Sequence, residues 1–274
     1  MTIATLDQLV NAMGNNTSRI VIDKTSINGH AAGNLVSLWR ATGVPAVGNI
    51  PAAAALCTNA TLGAIGFTQQ TNPATSYFGQ LFSVNSLSAM VLEIRDRLAE
   101  MGGLNGTLIT AQTVGLDLST TGGGIAADRR GDANYSDVQW FLEWYTATGA
   151  TVVNATVNVT YDDASTGNLA VISLAATRPA GLLIPLIPAV NGRFIRGVNS
   201  VTLSATTGTA GSFGVTATRL RAIQPQMLAN LSTVFDWQML GLTEVPNGSC
   251  LMLNVLTSTT SSGAVRGGGK IIYG

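Results

Sequence analysis

Apolar and polar residues alternate most strictly over 151–161, TVVNATVNVTY. Val153, Ala155, Val157, Val159 and Tyr161 point one way, and Asn154, Thr156, Asn158 and Thr160 the other. Period two over this length predicts an antiparallel strand with one face buried. DDASTGN (162–168) supplies turn residues, and LAVISLAAT (169–177) is its expected hairpin partner. FIRGVNSVTLSAT (194–206), GSFGVTATRLRAI (211–223) and SCLMLNVLTST (249–259) continue the strand series. TGTAG (207–211) and SSGAVRGGG (261–269) read as the turns between them. VQWFLEWYTATG (138–149) is aromatic on both faces, as a fully covered central strand would be. LNGTLITAQTVGLDL (104–118) is strand-like and Thr-rich. For 89–101 a strand, with Met90, Leu92, Ile94 and Asp96 on one face, competes with a helix.

Helical signals are few. In TLDQLVNAM (5–13), Leu6, Leu9, Val10 and Met13 share one face, with Thr5 as N-cap and Gly14 as terminator. QPQMLANLSTVFDWQML (224–240) has room for one or two helical turns, and SRIVID (18–23) reads as a short strand. From Gly29 to Gly79 the chain is rich in Gly, Ala, Pro, Thr and Asn, punctuated by Trp39, Leu56, Phe67, Tyr77 and Phe78. A structureless stretch of this length inside one domain would be unusual. It is therefore expected to be an arm lying on its own domain or on a neighbouring subunit. The predicted fold is all-β: an antiparallel, jelly-roll-like β-sandwich over 86–274, preceded by a helix and extended arm over 1–85, with little helix.

Composition narrows the picture. Hydrophobic residues make up 46% and charged residues 10% of the 274, against about 25% charged in a typical soluble chain. High hydrophobicity and zero formal net charge exclude a disordered chain. They also leave no basic excess for binding nucleic acid. Only Lys24 and Lys270 among the cations are Lys; the rest are Arg. This bias fits either interface use of guanidinium groups or an Arg-favouring genome. MTIATLDQLVNAMG lacks the basic and apolar regions of a signal peptide, and Pro179 to Val190, with three prolines, is too short to span a bilayer.

Candidate chemistry is sparse. A Ser-His-Asp or Cys-His arrangement would have to use His30, the one histidine, which reads as structural. RGGGK (266–270) departs from a phosphate loop at Ala264 and Ile271 and reads as a flexible turn. Cys57 and Cys250 fit no metal or redox motif and are expected as buried free thiols. Asp162-Asp163 suits a turn. Asp128, Asp132 and Asp137 either gather a cation or pair with Arg129 and Arg130. Arg193, Arg196, Arg219 and Arg221 would cluster if their strands were neighbours, and Arg95 with Arg97 is a second pair. Such clusters either hold phosphate or meet acids such as Glu93, Asp96 and Asp117. Trp140, Trp144 and Tyr145 are expected in the core. No cofactor is indicated.

The succession IRDRLAEMGGLNGTLITAQTV (94–114), YSDVQWFLEWYTATGATVVNATVNVTY (135–161), FIRGVNSVTLSATTGTAGSFGV (194–215) and VPNGSCLMLNVL (245–256) resembles a group of β-rich virion structural proteins of tailed bacteriophages and prophages. The resemblance spans roughly residues 30–274. It implies a jelly-roll-like sandwich, self-association, and docking on a shell or tail. It carries no catalytic residues. On this basis the chain is expected to be a capsid decoration or cement protein, not an enzyme, in a virion assembled in the bacterial cytoplasm. Its expected partners are copies of itself, with a trimer favoured, and the major capsid protein, without membrane or specific nucleic acid. Expected interface residues are Trp39, Phe67, Tyr77 and Phe78 of the arm, with Arg129, Arg130, Arg193 and Arg196. Removing residues 1–80 is then expected to abolish shell binding and leave the core folded. The alternatives are a tail or receptor-binding component, with a lectin-like sandwich whose loop aromatics such as Tyr135 meet sugars, and a carbohydrate-active enzyme.

Overall fold

The computed structural model describes residues 3–274. In chain order the strands are β1 (Thr17–Lys24), β2 (Leu35–Ser37), β3 (Gly43–Val44), β4 (Ala55–Leu56), β5 (Ser76–Asn85), β6 (Met90–Leu104), β7 (Gln112–Asp117), β8 (Val138–Thr146) and β9 (Val153–Tyr161). They continue as β10 (Thr166–Asn168), β11 (Ile172–Leu174), β12 (Leu182–Leu186), β13 (Ile195–Leu203), β14 (Ser212–Gln226), β15 (Thr233–Asp236), β16 (Glu244–Val245), β17 (Leu251–Leu256) and β18 (Val265–Tyr273). The helices are α1 (Leu6–Asn15) and a single turn, α2 (Ala127–Arg130).

All sheet pairings are antiparallel, and the architecture has three layers. The middle sheet runs β14-β8-β12-β2-β17-β6, and β6 pairs back onto β14, so six strands close into a barrel with β4 appended to β6. On one side lies a sheet of order β10-β9-β13-β7, with β11 on β9. On the other lies β15-β5-β18-β1-β3, with β16 on β5. One apolar core fills the space between barrel and first sheet, where Trp140, Leu142, Trp144 and Val215 meet Val157, Val159 and Val201. A second lies between barrel and other sheet, where Leu92, Ile94 and Leu253 meet Ile20, Ile22, Phe78 and Ile271. The fold is thus an all-β, jelly-roll-like sandwich whose central layer is a closed ring.

Alternation explains which way each strand faces. β9 buries the five residues its period-two pattern assigns inward, Val153 to Tyr161. In β6 both faces are covered: Leu92 and Ile94 face the second core, while Glu93, Arg95, Arg97 and Glu100 are buried too. The strand reading of 89–101 therefore holds. α1 begins where expected, with Thr5 Oγ1 accepting from the Gln8 amide at 3.3 Å and Gln8 Oε1 accepting from the Thr5 amide at 3.1 Å. It runs through Gly14 and ends at Asn15.

Several expectations change. SSGAVRGGG is not a turn: residues 265–273 form β18, in the interior of its sheet between β1 and β5. A Cβ on Gly268 or Gly269 would stand 2.4 Å from the Ile20 carbonyl oxygen or 2.3 Å from that of Gln80, so these glycines admit a close strand approach. Residues 224–240 contain no helix; they hold the end of β14 and β15. β10 lies inside the stretch expected as a turn, and β7 begins only at Gln112. Described residues 3–85 are woven into the sheets. They supply β1 to β5, and β2 is one of the six staves of the barrel.

Candidate functional site

Closing β14 onto β6 turns one face of each stave inward, and charged residues lie there beside Trp39, Tyr145 and Met252. Arg97 is fully buried. Its Nη1 donates to Glu143 Oε2 at 2.6 Å, its Nε to Glu100 Oε2 at 2.6 Å and its Nη2 to the Tyr145 hydroxyl at 2.8 Å. The guanidinium lies 4.5 Å from the Trp39 ring centroid. Burial alone would lower the Arg97 pKa, but Glu143, Tyr145 and Glu100 drive it well above its ordinary value. Burial pushes the Tyr145 hydroxyl up; Arg97 opposes this, and Glu143 and Glu100 add to it.

Asp96 is a second hub. It accepts from Arg129 Nη2 at 2.6 Å, Arg221 Nη2 at 3.2 Å, Ser249 Oγ at 3.0 Å and the Cys250 amide at 2.9 Å. Arg129 also donates to the Cys57 carbonyl at 2.7 Å. One carboxylate thereby ties the 121–137 loop to β6, β14 and the approach to β17. Burial opposes the charge on Arg129, and Asp96 more than compensates, raising its pKa. Cys57 and Cys250 are buried free thiols in contact. Burial and the Cys250 hydrogen bond push the Cys57 thiol well up.

The expected interface residues lie mostly inside. Trp39 is 2% exposed, its ring packed so closely on Gly48 that a Cβ there would stand 2.1 Å away. Phe67 and Phe78 belong to the second core, and Tyr77 lies under α1 with Leu9, Ala12 and Ile272. Arg129 is buried on Asp96. Arg130 is half-buried, stacked 5.2 Å over the Tyr135 ring. Arg193 pairs with Asp163 at 2.7 Å and Arg196 with Asp117 at 3.0 Å. Burial works against the Asp117 charge, but hydrogen bonds from Ser119 and Arg196 win and lower its pKa. The anticipated Arg193, Arg196, Arg219 and Arg221 cluster does not form, because β13 and β14 lie in different sheets. Arg219 meets Asp137 at 2.9 Å instead. Of the two readings of the arginines, the one realised is pairing with acids, within the chain.

The remaining candidates also take structural places. Asp128, Asp132 and Asp137 do not converge. They accept from the Arg129 amide at 2.8 Å, from Ser136 Oγ at 3.1 Å and from Arg219 respectively. His30 is buried, with Nε2 3.2 Å from the Ile27 carbonyl oxygen. Tyr135, the loop aromatic offered to sugars, is 6% exposed. Among the described residues no helix is long and apolar enough to cross a membrane.

What the strand pattern did not single out is the outer face of the six-stranded sheet. Val21, Gly268, Phe82 and Val234 stand side by side across β1, β18, β5 and β15. Val21 is 61% exposed, Phe82 42% and Val234 53%. The Phe82 ring lies over Gly268, making an unbroken apolar row. Charged positions flank it: Arg19, Lys270 and Asp236 in one neighbouring row, Asp23 paired with Arg266 in the other.

No known protein family matches this sequence, and no curated relative is detected. Solved structures similar to the chain include infectious bursal virus-derived T=1 particles. That match has 10% identity over 94% of this chain and 78% of that one, at a TM-score of 0.17. The VP2 subviral particle of infectious bursal disease virus matches with 10% identity, 94% and 80% coverage and a TM-score of 0.17. The T13 particle of the same virus matches with 10% identity, 94% and 77% coverage and a TM-score of 0.17. At this score the likeness carries no statement of fold or role.

Proposed function

We propose that this chain is a virion structural protein, a capsid decoration or cement protein of a bacteriophage that associates with copies of itself and bridges shell subunits. The observation that carries the reading is the exposed row Val21–Phe82–Val234, flanked by charges of both signs. An ordered apolar row on a sheet face is the kind of surface that a partner covers. The charged residues of the interior tie staves of the barrel to one another and to the 121–137 loop, which suits a part that must resist deformation. The resemblance to phage structural proteins points the same way. Closed rings are the common form of self-association, and a trimer suits an icosahedral shell.

The test is light scattering after size exclusion over a range of concentrations, followed by binding to empty phage shells. A closed oligomer that Phe82→Glu dissociates, with parallel loss of shell binding, is the expected result. A monomer at every concentration that also fails to bind shells would overturn the reading.

A further inference from the structure

A cavity of about 420 Å³ opens at one mouth of the barrel. Leu35 of β2, Phe141 of β8 and Pro185 of β12 line it, together with Ile187, Pro188 and Phe194. Arg95 lines it as well, with a side chain 5% exposed. Four contacts hold that guanidinium still. Nε donates to Glu93 Oε2 at 2.7 Å, Nη1 donates to Gln139 Oε1 and, at 3.3 Å, to Thr218 Oγ1, and the plane sits 5.3 Å from the Phe141 centroid. Among the described residues, no group of the chain accepts a hydrogen bond from Nη2.

A nearly buried cation with one unused donor edge, set in an apolar hollow of this size, has the makings of a ligand site. We propose that the cavity binds a small amphiphile, with its apolar body against Leu35, Phe141 and Pro185 and its carboxylate on Arg95 Nη2. Glu93 already neutralises part of the guanidinium charge. A carboxylate is therefore held by its hydrogen bond to Nη2 and by its apolar body, and a phosphate dianion meets about twice the repulsion from Glu93. Sequence reading gave Arg95 only as half of an arginine pair, because the barrel closure that makes the hollow joins β6 to β14, more than a hundred residues apart.

The probe is decanoate, titrated calorimetrically into the full chain below its micelle concentration, beside 1-decanol and decyl phosphate. Ile187 is 66% exposed, so Ile187→Glu leaves the fold intact and puts a like charge at the rim. Saturable one-to-one binding of decanoate is expected, weakened about tenfold or more for decanol, for decyl phosphate and for Ile187→Glu, since a hydrogen bond to a charged group is worth at least that factor. Absence of saturable binding overturns the site. Equal affinity for decanol and decanoate overturns the role of Arg95, and unchanged decanoate binding by Ile187→Glu overturns the location.

Discussion

Arg97 Nη1 lies 2.6 Å from Glu143 Oε2, and neither side chain is exposed to solvent. The pair bridges β6 and β8 through the interior of the barrel, beside the contacts of Arg97 with Glu100, Tyr145 and Trp39. Removing one partner of such a pair leaves a buried charge uncompensated. Glu143→Ala is expected to cost roughly 3–5 kcal/mol, a large share of a typical domain's stability. The double replacement Arg97→Met with Glu143→Leu should recover little of that loss, because Glu100 is then left buried without its cation. Denaturant unfolding of the two singles and the double gives the cycle. A Glu143→Ala cost under about 1 kcal/mol would show that Glu100 and Tyr145 suffice for Arg97.

Asp96 serves two arginines, and its loss should be felt away from its own strand. Asp96→Asn keeps the shape but removes the charge facing Arg129 and Arg221. A destabilisation of about 3 kcal/mol is expected, together with faster amide exchange over residues 121–137. Arg129 anchors that loop, so cleavage after Arg130 by trypsin should accelerate in the variant. Uniform exchange changes across all three layers would instead mark Asp96 as a general core residue.

Much of the fold is legible in residue order, and the failures have physical causes. The β9 pattern is plain because one face meets a core and the other is open to solvent. β6 is ambiguous because both its faces are covered, one by apolar neighbours and one by ion pairs, so polarity no longer reports exposure. β18 hides behind its glycines, which signal a turn locally but here allow close strand approach. Residues 29–79 look like an arm because their strands are two or three residues long and take their register from distant partners: Val36 from Leu182 and Val255. Arg97, Glu143 and Asp96 could be seen only as charges within apolar stretches. That they converge follows from barrel closure, which no local pattern encodes.

Lys24 makes stability depend on pH. It is 2% exposed, its Nζ donates to the Ala41 carbonyl at 2.9 Å, and burial lowers its pKa to about 8 from 10.5. Below about 8 both folded and unfolded chains hold the proton and this contribution is flat. Between about 8 and 10.5 the unfolded chain holds the proton more often than the folded one, so the Lys24 contribution to stability rises with pH. Cys57 and Tyr145, neutral and buried with raised pKa values, act in the opposite sense at alkaline pH, so the wild type alone does not isolate the effect. The comparison with Lys24→Met does, since both proteins share those groups. Wild-type stability relative to the variant should increase between pH 8 and 10. An unchanging difference across that window would rule out the lysine as its source.

The N-terminal stretch gives the sharpest contrast. α1 packs on one end of the six-stranded sheet through Leu9 and Ala12, against Tyr77 and Ile272. Deleting residues 1–15 uncovers that patch at a cost of about 2–4 kcal/mol, on the scale of one or two buried side chains. The remainder should still fold. Deleting residues 1–80 is different, because that cut reaches into two of the sheets. The cut removes β1, which pairs with β18 from Thr17–Ile272 to Lys24–Val265. It also removes β2, which joins β12 to β17, so the barrel is opened and two staves gain bare edges. Residues 81–274 alone are therefore expected to aggregate and to show no cooperative melt, whereas residues 16–274 melt cooperatively at a lowered temperature. Circular dichroism during heating distinguishes them. A cooperative native-like transition in the shorter fragment would mean that the ring tolerates a missing stave, and that residues 1–80 are an appendage after all.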